Sequence, residues 1–304
     1  MQQRNWPEVA VVGAGAVGCY YGAMLARAGV PVMLIGRERH VEAIRRGGLR
    51  FMSGDLDVRV PIGATTDVAA VAKAKIILFC VKSLDTDSAA AAMAPYLAPD
   101  AIVLSLQNGV DNAERIRAHT GNSVIPVLVY TAASMPEPGV VRHTGGGSVV
   151  IGRDRQDMAV MFEAAKVPVK IADDIDSELW IKLVMNCAYN AVCALTGTPY
   201  GRMVASPEVR AVMVRAVDEV MALAKAKGIR LPADLADTTI KLARVMPQTM
   251  SSTAQDIAKG RPTEIDHLNG YVVREGLRLG VATPVNTTLH ALTKLLEQSK
   301  LARS

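Results

Sequence analysis

The period of the hydrophobic pattern changes once along the chain. In the first half, short apolar runs at Val9–Val12, Val32–Ile35, Ile76–Val81 and Ile102–Leu106 read as buried strands. Helical spacing separates them at Cys19–Ala28, near Arg39–Arg46 and over Asp85–Ala94. Strand and helix in alternation predict an α/β unit, a Rossmann-like doubly wound parallel sheet. Leu49–Ser53 and Asp57–Val60 flank Gly54-Asp55 and read as a short inserted hairpin. Val124–Val129, Gly139–Thr144 and Ser148–Ile151 read as further strands, with Gly145-Gly146-Gly147 as a flexible turn between the last two.

From about Asp176 the pattern is helical throughout. Helices are expected at Ser177–Leu195, Pro207–Lys227, Pro232–Met246, Ser251–Lys259, Glu264–Leu279 and Asn286–Leu301. A boundary near Asp173-Asp174 gives a sheet domain over 1–174 and an all-helical C-terminal domain over 175–304, with the cleft between them as the default site. No internal repeat or low-complexity tract interrupts either half.

The first of these helices is apolar on nearly every side, yet Lys182, Asn186 and Asn190 recur at four-residue spacing within it. That spacing confines them to an arc of roughly 80°. A helix apolar all round is normally buried, and a buried ammonium needs a partner, a polar cavity or a lowered pKa. This is how an acid–base lysine arises. The alternative is a lysine snorkelling to water beside two asparagines that only pack helices.

The start of the chain supplies a second motif. Gly13-Ala14-Gly15-Ala16-Val17-Gly18 follows the first strand directly and leads into a helix. Gly13 permits the tight turn, Gly15 lets backbone approach a pyrophosphate, and Gly18 lets the helix pack closely on its strand. The helix N-terminus then faces the phosphates. At the end of the next strand, where a carboxylate would bind a ribose 2′-hydroxyl, stands Gly36-Arg37. A guanidinium there suits a 2′-phosphate, so NADP(H) is expected over NAD(H).

Composition narrows the function classes. In 304 residues, Lys+Arg 34 against Asp+Glu 29 gives a net charge of +5, dispersed and without aromatic-laced basic runs, which argues against nucleic acid. Cys19, Cys80, Cys187 and Cys193 form no C-x-x-C pair, and the five histidines lack ligand spacing, so neither disulfide scaffold nor metal is expected. Met1 to Glu8 leaves no room for a signal peptide, and no uncharged apolar run reaches about 18 residues. A cytoplasmic protein with no membrane partner is the expectation. No heptad pattern demands an oligomer, although the helical half can form a homodimer.

Further polar groups fall where chemistry is expected. Lys82 and Asn108 follow sheet strands on the side where such sheets bind cofactors. Ser252 and Asp256 share a helix, and Glu264 opens the next, where a carboxylate also complements the helix dipole. Asp266 and His267 share that plainer explanation.

Taken in order, the glycine turn, Val81-Lys82-Ser83, Gln107-Asn108-Gly109, Glu178 to Cys187, Ser251 to Ile257, Thr263 to Gly270 and Gly280 to Thr287 resemble the ketopantoate reductase (2-dehydropantoate 2-reductase) family over nearly the whole chain. The resemblance implies NADPH-dependent reduction of 2-dehydropantoate to pantoate, on the route to pantothenate and coenzyme A. It implies Lys182 as general acid with Glu264 as its partner, and Asn186, Asn190 and Ser252 as substrate-binding residues. Asn108 would serve both substrate and nicotinamide, while Gly13, Ala14, Gly15, Ala16, Val17, Gly18, Arg37 and Lys82 would serve the cofactor. Two rivals remain: a relative acting on another 2-keto or 3-hydroxy acid, and a non-catalytic NADPH-binding sensor.

Overall fold

The computed structural model describes residue 6 and residues 8–302. The reading of the chain's start rests largely on residues outside that set. Two compact units divide the chain, one through Ile175 and one from Asp176.

The first unit begins with β1 (Val9–Val12), α1 (Ala16–Arg27), β2 (Val32–Ile35) and α2 (Glu38–Gly47), followed by β3 (Leu49–Ser53), β4 (Leu56–Val60) and β5 (Gly63–Thr65). After a 3-10 turn come β6 (Ile76–Phe79), α3 (Thr86–Met93), β7 (Ile102–Ser105), α4 (Asn112–Thr120) and β8 (Ser123–Pro126). The unit ends with β9 (Leu128–Glu137), β10 (Val140–Gly152), α5 (Ala159–Ala164) and β11 (Val169–Ala172).

Six strands form a parallel sheet in the order β5-β2-β1-β6-β7-β8. Numbered within the sheet this is 3-2-1-4-5-6, and the order reverses at β1, where β2 and β6 flank it. The central strands β1 and β6 are buried at every position, as their unbroken apolar runs require. Val9, Val11, Leu34, Leu78 and Leu104 pack with Tyr21 and Leu25 of α1 in one core. Ala10, Val12, Ile77, Phe79 and Val103 pack with Ala90, Met93 and Ile116 of α3 and α4 in another.

A second sheet, in the order β11-β10-β3-β4 with β9 paired to β10, shares the first core. Tyr20 of α1 stacks on His143 of β10 at 4.5 Å between ring centroids, and Tyr21 Oη donates to the Ser148 carbonyl at 3.1 Å. The expected hairpin forms as β3 and β4, at one edge of this sheet. The expected glycine turn does not form: β10 runs unbroken through Gly145-Gly146-Gly147. The glycines absorb register shifts against β9, at His143/Gly145 and Gly146/Ser148. Long-range pairing thus turned a turn-like composition into bulged strand.

The second unit holds α6 (Ile175–Thr196), α7 (Tyr200–Ala205), α8 (Pro207–Ala226), α9 (Leu235–Val245), α10 (Ser252–Ala258), α11 (Asn269–Leu279) and α12 (Pro284–Leu301). By length and composition α6 could cross a membrane, with mean hydropathy 1.3 over its most apolar stretch. Since 67% of that stretch is buried inside the protein, it is the core helix of the unit. The helix expected over Glu264–Leu279 is two pieces. Glu264 caps a 3-10 turn at Ile265–His267, Leu268 leaves helical geometry at φ −113° and ψ −101°, and α11 begins at Asn269.

Candidate active site

The expected site residues fall in both units. In the first, the β1–α1 turn is shaped by close approaches. Gly13 has φ +103°, and a Cβ there would lie 2.6 Å from Val81 N. A Cβ on Gly18 would lie 2.2 Å from the Gly13 carbonyl and 2.9 Å from Val11 Cγ1, so α1 rests directly on β1. Gly15 differs: it is exposed, and a Cβ would meet nothing within 4 Å. Gly15 also caps α1 without a side-chain hydrogen bond, and the first turn carries no acidic residue. An exposed helix N-terminus with open space before it and no carboxylate of its own fits a pyrophosphate. Ala14, Ala16 and Val17 complete the turn.

Arg37 caps α2 at the end of β2 with its side chain 81% exposed, in a long ion pair with Asp85 at 3.9 Å. Lys82 precedes the 3-10 turn at Ser83–Asp85, just past β6 and next in sequence to Val81, whose backbone N lies against Gly13.

A polar network that sequence reasoning missed joins the loops after β6 and β7. Ser83 Oγ donates to the Asn108 carbonyl at 2.8 Å, and Asn112 Nδ2 donates to the same oxygen at 2.6 Å. Gln107 Nε2 donates to the Val81 carbonyl at 3.1 Å and to Thr86 Oγ1 at 2.7 Å, while Thr86 Oγ1 donates to Asn112 Oδ1 at 3.0 Å. Ser83, Thr86, Gln107 and Asn112 are all buried. Buried amides and hydroxyls satisfied by one another fix the loops that carry Lys82 and Asn108. The signal was present as four polar residues close in sequence to Lys82 and Asn108, but their pairing is long-range.

In the second unit, α6 carries Lys182, Asn186 and Asn190, of which Asn190 is only 4% exposed. Lys182 keeps part of its surface accessible while its ammonium is enclosed. Burial pulls its pKa down to about 8, and the charge of Glu264 opposes that fall. The lysine therefore has a carboxylate partner yet stays easier to deprotonate than one in water.

α10 is tied to α6 through Ser251, not through Ser252. Ser251 Oγ accepts from Ala254 N at 3.1 Å as helix cap and donates to the Asn190 carbonyl at 3.2 Å, and Ser251 N donates to Cys193 Sγ at 3.3 Å. Ser252, next in line, is the exposed first residue of α10. The Glu264 segment is anchored to α6 as well, since Asn269 Nδ2 donates to the Cys187 carbonyl at 3.1 Å. Asp266 is not a dipole-complementing residue of a long helix. It pairs with His290 at 2.7 Å and Lys294 at 2.8 Å, which hold its carboxyl well below the usual carboxylate range.

A concavity of about 440 Å³ on the second sheet, lined by Ser53, Arg142 and His143 among others, contains none of the expected site residues. Among the described residues, no cluster of three or more His, Cys, Asp or Glu side chains could hold a metal ion.

Comparison with known proteins covers both units. Residues 9–156 match the family model described as ketopantoate reductase PanE/ApbA, and residues 174–297 match its C-terminal model. A 2-dehydropantoate 2-reductase from Halobacterium salinarum is 34% identical over 301 residues, covering 96% of this chain and 99% of that protein. The crystal structure of a PanE/ApbA family ketopantoate reductase from Ralstonia eutropha is 50% identical, with a TM-score of 0.93 over 96% of this chain and 99% of its own. A D-mandelate dehydrogenase solved with NADH and anilino(oxo)acetate shares the fold at 24% identity, with a TM-score of 0.89 over 96% of this chain and 99% of its own.

Proposed function

The chain belongs to the ketopantoate reductase PanE/ApbA family, and on that premise we propose that it reduces 2-dehydropantoate to (R)-pantoate with NADPH. The observation that carries the mechanism is Lys182, an enclosed ammonium with its pKa drawn down to about 8 and Glu264 opposite it.

When bound, the reduced nicotinamide supplies a hydride to the C2 ketone. As negative charge grows on the ketone oxygen, Lys182 donates a hydrogen bond and then its proton. A donor whose pKa sits near the working pH gives up a proton more readily than an ordinary lysine, yet still holds one at neutrality. Glu264 keeps the ammonium charged and oriented. Asn186, Asn190 and Ser252 are assigned to the substrate's carboxylate and hydroxyl, and Asn108 to the nicotinamide side of the reaction.

For the cofactor, the open approach at Gly15 and the uncapped start of α1 support a pyrophosphate site. The preference for NADPH rests on Arg37, whose exposed guanidinium makes a long pair to Asp85 and can reach a 2′-phosphate. Lys82, one residue after the Val81 backbone that packs on Gly13, adds positive charge for the same ligand. This reading also carries a cytoplasmic location.

The test is cofactor oxidation by purified protein, followed by nicotinamide absorbance, with ketopantoate and a panel of other 2-keto acids, each with NADPH and NADH. Turnover of ketopantoate that is fastest with NADPH is expected. Turnover of a different acid would keep the mechanism and overturn the substrate. Tight NADPH binding without reduction of any acid would make the protein a sensor.

A further inference from the structure

Three side chains of α12, His290, Lys294 and Glu297, are spaced four and three residues apart and so lie on one face of that helix. All three reach the short segment that carries Glu264. Glu297 is 6% exposed, and its Oε2 accepts from both Thr263 N at 2.9 Å and Thr263 Oγ1 at 2.5 Å. Thr263 Oγ1 in turn accepts from Ile265 N at 3.4 Å. On the other side of Glu264, Asp266 is held by His290 and Lys294, and Lys294 closes the arrangement by donating to Glu297 Oε1 at 3.3 Å. Glu264 is thus the one residue of Thr263-Glu264-Ile265-Asp266 whose carboxylate serves Lys182, while its neighbours are clamped to α12.

We propose that Glu297 is a positioning residue for the reaction: by fixing the Thr263 backbone and hydroxyl, it sets where Glu264 stands relative to Lys182. The inference rests on the assignment of Lys182 and Glu264 as the acid and its partner. Its physical basis is that a segment outside regular α-helix has no ladder of its own to define its place. A buried carboxylate accepting two hydrogen bonds supplies that definition. Misplacement of a partner group by even about 1 Å is enough to cost a large part of a catalytic rate.

The experiment is a double-mutant cycle on the full-length protein. Glu297→Gln keeps the shape of the side chain but loses the charge that both Thr263 and Lys294 address. It is expected to lower kcat about tenfold or more with NADPH affinity unchanged. In a Glu264→Ala background the same substitution should change kcat less than about twofold, because the group through which it acts is already gone. Thr263→Val should reproduce the loss and Thr263→Ser should restore it. Equal losses from Glu297→Gln in both backgrounds would overturn the proposal, since a merely structural residue does not depend on Glu264. If Glu264→Ala alone leaves kcat unchanged, the reading of the acid and its partner fails first, and with it the role given to Glu297.

Discussion

The glycine turn of the first unit and the lysine helix of the second solve opposite problems. At the turn, the geometry comes from side chains that are missing: α1 lies on β1 because Gly18 leaves no atom between them, and Gly15 faces open space. At Lys182, a charge is present where the surrounding residues disfavour it, and the proposed function draws on that charge. Added atoms should therefore damage the first region, and removed atoms the second. The comparison also separates fold from function within each region, because some of these residues are required by packing and others only by a ligand.

The largest effect is expected at the lysine. Lys182→Ala should lower kcat by roughly 10²–10⁴-fold, as loss of a positioned acid does, with NADPH affinity by fluorescence titration little changed. A large loss of NADPH affinity would move the lysine to the cofactor side and end the contrast.

The turn is tested by a pair. Gly18→Ala forces a Cβ against the Gly13 carbonyl and Val11, and should destabilise the protein by about 1–3 kcal/mol in denaturant unfolding. Gly15→Ala has room for its methyl group within the protein and should leave unfolding unchanged while weakening NADPH binding, since the methyl occupies the approach to the phosphates. Equal stability losses in both variants would mean that Gly15 serves packing rather than a ligand.

The pH profile follows from the direction of the Lys182 shift. In the proposed mechanism the protonated lysine is the active form, so kcat should be level below about pH 8 and fall above it. Glu264 opposes the lowering, so Glu264→Ala should shift that falling limb to lower pH. A limb that does not move would separate the titrating group from Glu264.

The smallest change is expected at the rim of the cofactor site. Arg37→Ala should raise the Kd for NADPH by about tenfold, the worth of a charge-assisted hydrogen bond, and leave that for NADH nearly unaltered. Equal weakening of both cofactors would assign Arg37 to general electrostatics.

Local signals were legible where periodicity and sterics act over a few residues. The strands Val9–Val12 and Val32–Ile35, the α/β alternation and the long apolar helix emerge with nearly the bounds read from the pattern. The Lys182 stripe was legible for the same reason, because a polar residue every four positions on an apolar helix conflicts with its surroundings. What escaped was decided at long range. Gly145-Gly146-Gly147 reads as a turn until β9 and β3 pair with the strand that contains it, and β5 and α4 carried too few apolar positions to stand out. Ser251 and Ser252 look interchangeable in the sequence, yet only Ser251 is buried as cap and tether to α6.

The amino-acid sequence by itself determined the chemical inventory: a glycine turn after a buried strand, an arginine where a carboxylate is usual, and an ammonium on a helix too apolar to leave it in water. Those follow from backbone geometry and desolvation, which act residue by residue. The tertiary structure alone decided how the inventory is held. Glu264, whose charge acts on Lys182, lies in a segment broken at Leu268, and Glu297, over thirty residues further along, holds that segment through Thr263. Hydrogen bonds between buried groups distant in sequence depend on the completed fold, because only packing brings donor and acceptor together and excludes the water that would otherwise satisfy both.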